Sequence, residues 1–130
     1  MVVNAAQQYR QTQIMTANQV QLIVLLYDSA IQSLELAREA IHINNYKDKA
    51  RFLDRSLAIL GELSSVLDFE RGGEIAKSLH RLYEFMIHQC MQANLRHSEN
   101  HLDGPIRCLV TLREGWQVVA RQEAPTPVGR

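Results

Sequence analysis

The sequence predicts an all-α protein, an antiparallel up-and-down four-helix bundle with a short N-terminal helical segment. The three prolines lie at positions 105, 125 and 127, so the whole chain before position 105 is free of the strongest helix breaker. Apolar residues recur at the roughly 3.6-residue spacing of a helix in four long segments. The polar connections between these segments are short, and short connections place consecutive helices antiparallel.

The composition indicates one domain with no charge-driven partner. The chain has 130 residues, of which 46% are hydrophobic, enough for one buried core. Fourteen basic and fourteen acidic residues cancel, so its charge does not favour nucleic acid or an anionic membrane surface. The longest unbroken apolar run, residues 22–27, is far shorter than the roughly 20 residues of a membrane span. Because the first residues also lack the pattern of a secretory signal, we expect a cytoplasmic protein without membrane insertion.

Residues 1–15 form a polar, glutamine-rich segment that we expect to be flexible or to cap the bundle. Its glutamine-rich part is residues 4–13, for which Tyr9 and Ile14 supply the larger apolar side chains. Thr16 and Gln19 then match a capping box, in which each side chain bonds to the backbone of the other residue at the start of a helix. The first long helix is therefore predicted to begin there and to run to about Ile43.

This first helix carries more apolar surface than one packed face can use. One broad side, which includes Val20, Tyr27 and Leu34, has the spacing of a core stripe. Burying a leucine contributes roughly 1.5–3 kcal/mol, so leucines outside that stripe call for a partner or for another segment of the chain. Three leucines of this helix lie outside it: Leu22, Leu25 and Leu36.

The middle of the chain predicts two more helices. Asn44 and Asn45 suit a tight turn, because asparagine tolerates the left-handed conformation that ends many helices. The second long helix follows over about residues 47–67, with apolar residues on close to half of its circumference. We predict a loop at residues 68–73, where Gly72 and Gly73 favour a turn over a phosphate site because acidic residues surround them. The third long helix is predicted over about residues 74–95.

The fourth long helix is predicted to begin at Gly104 and Pro105, with the proline at its first helical position. Its apolar stripe runs through Leu109, Leu112 and Trp116. The bundle domain then covers residues 16–121. The last residues, 122–130, are expected to form a disordered tail.

Residues that carry chemistry are few. Glu39 and His42 have the spacing found in four-helix di-metal sites, but such sites need a second copy, and the nearest candidate pair has the wrong spacing. Cys90 and Cys108 are expected to be unoxidised thiols on apolar helix faces, and neither has an obvious adjacent base. We therefore expect no metal, no other cofactor and no enzymatic activity. The sequence offers binding surface instead.

Three segments resemble a known family, the flagellar export chaperones that hold flagellin before secretion. They are QLIVLLYDSAI at residues 21–31, LDFERGGEIAKSLHRLYEFM at residues 67–86, and the end of the last helix at residues 112–116. The resemblance spans about residues 8–120 without a large insertion. It departs at Ser29, where a glycine is common, and at Gly104-Pro105, where the family usually continues acidic and helical.

The resemblance implies a function. It implies a cytoplasmic four-helix bundle that binds the disordered C-terminal segment of flagellin, blocks its premature polymerisation and delivers it to the cytoplasmic domain of the export gate. The wide apolar faces are a physical counterpart of that role, because a disordered client can fold as helices into apolar grooves. The free protein is expected to be a monomer or a weak homodimer. The alternative is a structural or adaptor bundle that covers its surplus apolar face by self-association.

Candidate contact residues follow from the margins of the apolar faces. We predict that the N-terminal segment, through Tyr9 and Ile14, lies over part of the client groove in the free protein. The resemblance further implies that Tyr9 helps to present the loaded chaperone to the export gate. The predicted client contacts are Leu25, Leu36, Ile59, Leu63, Ile87 and Met91.

Overall fold

The computed structural model describes residues 5–12 and 15–123, and these ranges contain helices and no strand. This confirms the predicted all-α class. The tail beyond position 123 lies outside the described residues. The helices are α1 (Ala5–Thr12), α2 (Ala17–His42), α3 (Tyr46–Ser65), α4 (Phe69–Arg96), a short 3-10 helix (Glu99–Leu102) and α5 (Asp103–Glu123).

Polar contacts show that neighbouring helices run antiparallel. Residues later in α2 contact residues that come earlier in the segment formed by the 3-10 helix and α5. In the same way, residues later in α3 contact residues that come earlier in α4. The order around the bundle is therefore α2, α3, α4, α5, with α2 and α4 on a diagonal. The contacts join Asp28 to Arg113 at 3.0 Å, Arg38 to Asp103 at 3.3 Å, His42 to Glu99 at 3.1 Å, Ser64 to His80 at 3.0 Å and Lys49 to the Asn94 carbonyl at 3.1 Å.

The core runs the length of the bundle and is centred on aromatic side chains. Tyr27 of α2 and Tyr83 of α4 meet across the diagonal, and their buried hydroxyls share a hydrogen bond. Burial raises the pKa of both phenols, so each stays protonated and the pair is satisfied without charge. The other large, fully buried side chains are Trp116, Leu34, Leu53, Leu60, Leu79, Met86, Leu102, Leu109, Leu112 and Val20.

The helix starts follow the local signals in the sequence. The Gln19 amide donates to Thr16 Oγ1 at 3.1 Å, and the Thr16 amide donates to Gln19 Oε1 at 2.9 Å. This confirms the predicted capping box. Asn44 has a positive φ of 60°, and the side chain of Asn45 accepts from the Asp48 amide at 3.1 Å at the start of α3. The two asparagines therefore end α2 and cap α3, as the turn prediction required.

The predicted loop at residues 68–73 is correct at its two ends, Asp68 and Gly73, and wrong at residues 69–72. Asp68 caps α4 by accepting from the Arg71 amide at 3.0 Å, so residues 69–72 already form a helical turn. Gly73 then has φ 52° and ψ −126°, a non-helical conformation open to glycine, and it separates this first turn from the long helix that continues to Arg96. The glycine pair thus serves a bend within α4.

The predicted start of the last helix differs by two residues. The 3-10 helix runs directly into α5 at Asp103, so Pro105 is the third residue of α5 and not the first. Proline is tolerated there because the amides of the first helical turn have no partner within the helix.

By length and composition alone, α2 would pass as a membrane span, since it has 26 residues and a mean hydropathy of 1.3 over its most apolar window. The core helix of a bundle passes the same test. Tyr27 and Leu34 are fully buried against the other helices, and Asp28 and Arg38 form ion pairs with α5. The buried side chains explain the apolar composition of α2, and the ion pairs show that the helix packs against other helices of the bundle.

Candidate partner-binding surface

The predicted contact residues fall into three groups by exposure. Leu25, Leu36 and Met91 are 62%, 39% and 55% exposed. Ile87 is half-buried. Ile59 and Leu63 are only 9% and 2% exposed, so their predicted position at the margin of an apolar face is wrong. The reason is that α3 has a neighbour on each side, α2 and α4, which together cover most of its wide apolar face.

The structure does not bring the exposed candidates into one groove. Leu25 and Leu36 lie on the outer face of α2. Ile87 lies seven residues from both His80 and Asn94, which contact α3, so it lies on the side of α4 that faces α3. Because α3 stands between α2 and α4, these are two separate surfaces, one on α2 and one on α4 with Met91.

A cavity of about 280 Å³ lies at the end of the bundle where α2 begins and α3 ends. Leu63, Tyr83 and Trp116 are its most buried lining residues, whereas Leu22 and Val66 are 55% and 61% exposed. The remaining lining residues are Tyr9, Met15, Gln19, Ile23, Leu26, Glu62 and Leu67. The opening therefore carries exposed apolar side chains beside the exposed polar Gln19 and Glu62, and the interior of the cavity reaches the core.

Sequence reasoning missed Met15 and Val66 as parts of this site. The spacing of apolar residues could have indicated two of the lining residues. Leu22 stood out as a surplus leucine of the first long helix, and Val66 continues an apolar line of α3. The cavity itself has no sequence signature, because its walls come from segments that are far apart in the chain.

The N-terminal helix α1 packs against α4 and α5 beside this cavity. Tyr9 is 4% exposed, its hydroxyl accepts from the Asp68 amide at 2.9 Å, and its ring meets Trp116 edge-on at 6.2 Å. A Cβ on Gly72 would lie 3.0 Å from the Tyr9 ring and 2.8 Å from the Ala76 Cβ, so the glycine makes room for the tyrosine. Ile14 lies outside the described residues.

The opposite end of the bundle is closed by polar contacts. Lys49 is 4% exposed, and its Nζ donates to the Asn94 carbonyl at 3.1 Å and contacts His97 Nδ1 at 2.8 Å. The Tyr46 ring stacks on His97 with centroids 4.1 Å apart. A lysine near the last carbonyls of a helix is favourable, so this residue of α3 caps the end of α4.

The titratable side chains carry structural contacts. The Glu99 carboxylate, through a hydrogen bond and its charge, raises the pKa of His42. Burial raises the pKa of the Cys90 thiol to about 12, so it stays protonated, and Cys90 and Cys108 are free thiols. Within residues 5–12 and 15–123, no three His, Cys, Asp or Glu side chains form a group that could hold a metal ion.

Comparison with known proteins gives consistent matches along the chain. The family model described as flagellar protein FliS matches residues 2–123. The flagellar secretion chaperone FliSB of Pseudomonas aeruginosa is 34% identical over 120 residues, which cover 89% of this chain and 95% of that protein. The flagellar secretion chaperones FliS of Salmonella typhimurium and Vibrio cholerae are 33% and 32% identical over 108 residues. Those alignments cover 82% and 83% of this chain, and 80% and 79% of the two relatives.

Proposed function

This chain belongs to the flagellar protein FliS family, and from that premise we propose that it is the chaperone that holds flagellin before export. In this proposal it binds the disordered C-terminal segment of flagellin in the cytoplasm and prevents its premature polymerisation. It then delivers the client to the cytoplasmic domain of the flagellar export gate. The names of its relatives, flagellar secretion chaperones, support the general role.

The observation that carries the proposal is the amount of apolar surface left exposed. A soluble monomer seldom exposes large contiguous apolar patches, and those that it exposes often mark interaction sites. Exposed apolar side chains gather in two places: on the outer face of α2, and around the opening of the end cavity. Among the residues that the structure describes, the exposed large hydrophobic side chains are Leu22, Leu25, Leu36, Ile43, Tyr46, Val66, Phe69, Phe85, Met91 and Leu95.

A disordered client explains why such surface is useful. A flagellin segment that buries its apolar side chains only within the filament needs another apolar partner until then. An amphipathic segment satisfies its own backbone hydrogen bonds when it folds as a helix, and its apolar face can then fill a groove between two helices of the bundle. The cost of ordering the segment lowers the affinity, which suits a complex that has to release its client.

We expect the purified protein to bind a synthetic flagellin C-terminal peptide with one-to-one stoichiometry. The helical circular dichroism signal of the mixture should exceed the sum of the two components, because the peptide orders on the surface. Isothermal titration calorimetry gives the stoichiometry and the heat. A scrambled peptide of the same composition is the control. An additive spectrum together with no heat of binding would remove the proposed client.

The alternative, a self-associating bundle, rests on the same exposed leucines of α2. Sedimentation velocity over a range of protein concentrations separates the two functions. A dimer that keeps its size when the flagellin peptide is added would favour the structural or adaptor role. A monomer that gains the mass of one peptide would favour the chaperone.

We also propose that α1 covers part of the client site in the free protein and leaves when the client binds. Tyr9 lines the cavity and is 4% exposed, so the export gate reaches its side chain only after α1 undocks. This order would let the gate recognise loaded chaperone in preference to empty chaperone. The hydrogen bond from Asp68 and the ring contact with Trp116 hold α1 in place until then.

Hydrogen exchange of the amides of residues 9–12 tests this lid. Their amides have partners within α1, so we expect protection in the free protein and faster exchange when the flagellin peptide is added. The amides of the central turns of α5 provide the internal reference. Protection that stays unchanged with saturating peptide would show that α1 belongs to the bundle and is not a lid.

A further inference from the structure

The end cavity is lined by hydrogen-bond donors that lack an acceptor among the described residues. Trp116 and Tyr83 both line it, and the Tyr83 hydroxyl shares a hydrogen bond with the Tyr27 hydroxyl. Trp116 Nε1 is buried near the Tyr27 hydroxyl and makes no hydrogen bond with a described residue. Two hydroxyls that bond to each other use only one of their two protons. These three side chains, which we call the donor cluster, therefore need a further acceptor.

The cavity is larger than a water molecule requires. Its volume is about 280 Å³, whereas an apolar cavity of about 150 Å³ is enough to hold benzene. Much of its wall is apolar and includes Ile23, Leu26 and Leu63. One water could pair with the donor cluster, but it would leave this wall without contacts. A molecule that combines an apolar body with an acceptor satisfies both the wall and the donors.

The lining residues favour an uncharged occupant. The described ones include no Lys, Arg or His, so an anion finds no partner there. Glu62 is the acidic residue among them, and it is exposed, so it does not neutralise a cation buried against Trp116. The donor cluster offers protons and therefore selects a lone pair on oxygen or nitrogen.

We propose that the end cavity binds a small uncharged molecule with an apolar body and one hydrogen-bond acceptor, such as a ketone, and that this molecule holds α1 on the bundle. Its acceptor bonds to the donor cluster, and its body packs against Leu63 and the neighbouring apolar wall. Tyr9 forms part of that wall, so the molecule keeps this contact only while α1 stays docked.

The effect on the client rests on the proposed function, in which α1 leaves when the client binds. A molecule that holds α1 in place opposes that step and lowers the affinity for the client. By linkage, the client lowers the affinity for the molecule by the same factor. The cavity would thus make the chaperone responsive to a small molecule.

Nuclear magnetic resonance with three probe molecules tests the site. The probes are 1-indanone, indane, which lacks the carbonyl oxygen, and indane-1-carboxylate, which carries a negative charge. Trp116 is the only tryptophan of the chain, so its indole N–H gives a single cross-peak in a proton–nitrogen correlation spectrum. 1-Indanone should shift this cross-peak to saturation and bind about fivefold more tightly than indane, which leaves the donors unpaired. The carboxylate should cause no shift.

A pair of tyrosine variants tests the place of binding. Tyr9→Ala should weaken the binding of 1-indanone about tenfold, because it removes part of the cavity wall. Tyr46→Ala is the matched control, since Tyr46 lies at the opposite end of the bundle and is 46% exposed. Its affinity for 1-indanone should stay within about twofold of the wild type.

Hydrogen exchange and a competition titration test the effect on α1. Saturating 1-indanone should slow exchange of the amides of residues 9–12 more than that of the central turns of α5. It should also weaken binding of the flagellin peptide at least threefold. Binding of 1-indanone that leaves the exchange of α1 unchanged would overturn this part of the proposal.

The remaining outcomes separate the cavity from the client. No saturable shift with 1-indanone would overturn the site and leave the proposed function intact. Equal affinity for 1-indanone and indane would show that water satisfies the donors, and equal losses in Tyr9→Ala and Tyr46→Ala would place the probe elsewhere. Either result would overturn the proposal. If 1-indanone binds and protects α1 while the flagellin peptide does not bind, the proposed client is wrong and the cavity site stands.

Discussion

Replacement of Leu63 by aspartate should destabilise the protein by about 4 kcal/mol or more, a large part of the stability of a domain of this size. Leu63 is 2% exposed and lies between the core and the floor of the end cavity. The substitution removes a buried apolar side chain and places a carboxylate beside a cavity whose described lining residues include no Lys, Arg or His. Urea denaturation, monitored by circular dichroism, measures the free energy of unfolding.

Leu25→Asp is the matched control for this prediction. Leu25 is the same residue type but is 62% exposed, so its replacement should change the stability by about 0.5 kcal/mol or less. A Leu63→Asp variant that stays as stable as the control but loses the client would contradict the structure. It would restore the sequence-based view that Leu63 lies at the margin of an apolar face.

Trp116→Ala should destabilise the bundle by about 3–5 kcal/mol, the usual cost of removing a buried large aromatic side chain. Trp116 is 1% exposed, packs in the core of α5 and lines the end cavity. It also carries the edge-on contact with Tyr9, so the substitution should release α1. Chemical denaturation gives the stability, and hydrogen exchange of the amides of residues 9–12 reports on α1.

Tyr9→Ala separates the two effects of that substitution. It removes the ring contact and the hydrogen bond from Asp68 but leaves the four long helices intact, so it should free α1 at a smaller cost in stability. If α1 stays protected in Trp116→Ala, then the contacts of Tyr9 with α4 hold it without the indole. The role assigned here to Trp116 would then be wrong.

The proposed binding surfaces were only partly visible in the sequence. The surplus leucines of the first long helix stood out because their spacing departs from the core stripe, and Leu25 and Leu36 are exposed in the structure. Ile59 and Leu63 showed the same kind of spacing and are buried. Periodicity gives the width of an apolar face, but it does not give the number of neighbours that cover it. Both helices have a neighbour on each side, but Ile59 and Leu63 point into the bundle, whereas Leu25 and Leu36 lie on the outer face of α2, where no other described helix packs.

What the sequence by itself determined is the local structure: an all-α chain, its four long helices, and the capping box at Thr16. These features depend on helical spacing and on bonds between residues a few positions apart, so the residues that decide them are neighbours in the chain. Only the tertiary structure decided the bend at Gly73, the seat that Gly72 provides for the Tyr9 ring, and the cavity beside it. Tyr9 and Asp68 lie 59 positions apart, so no local pattern connects them, and the packing of α1 against the bundle brings them together.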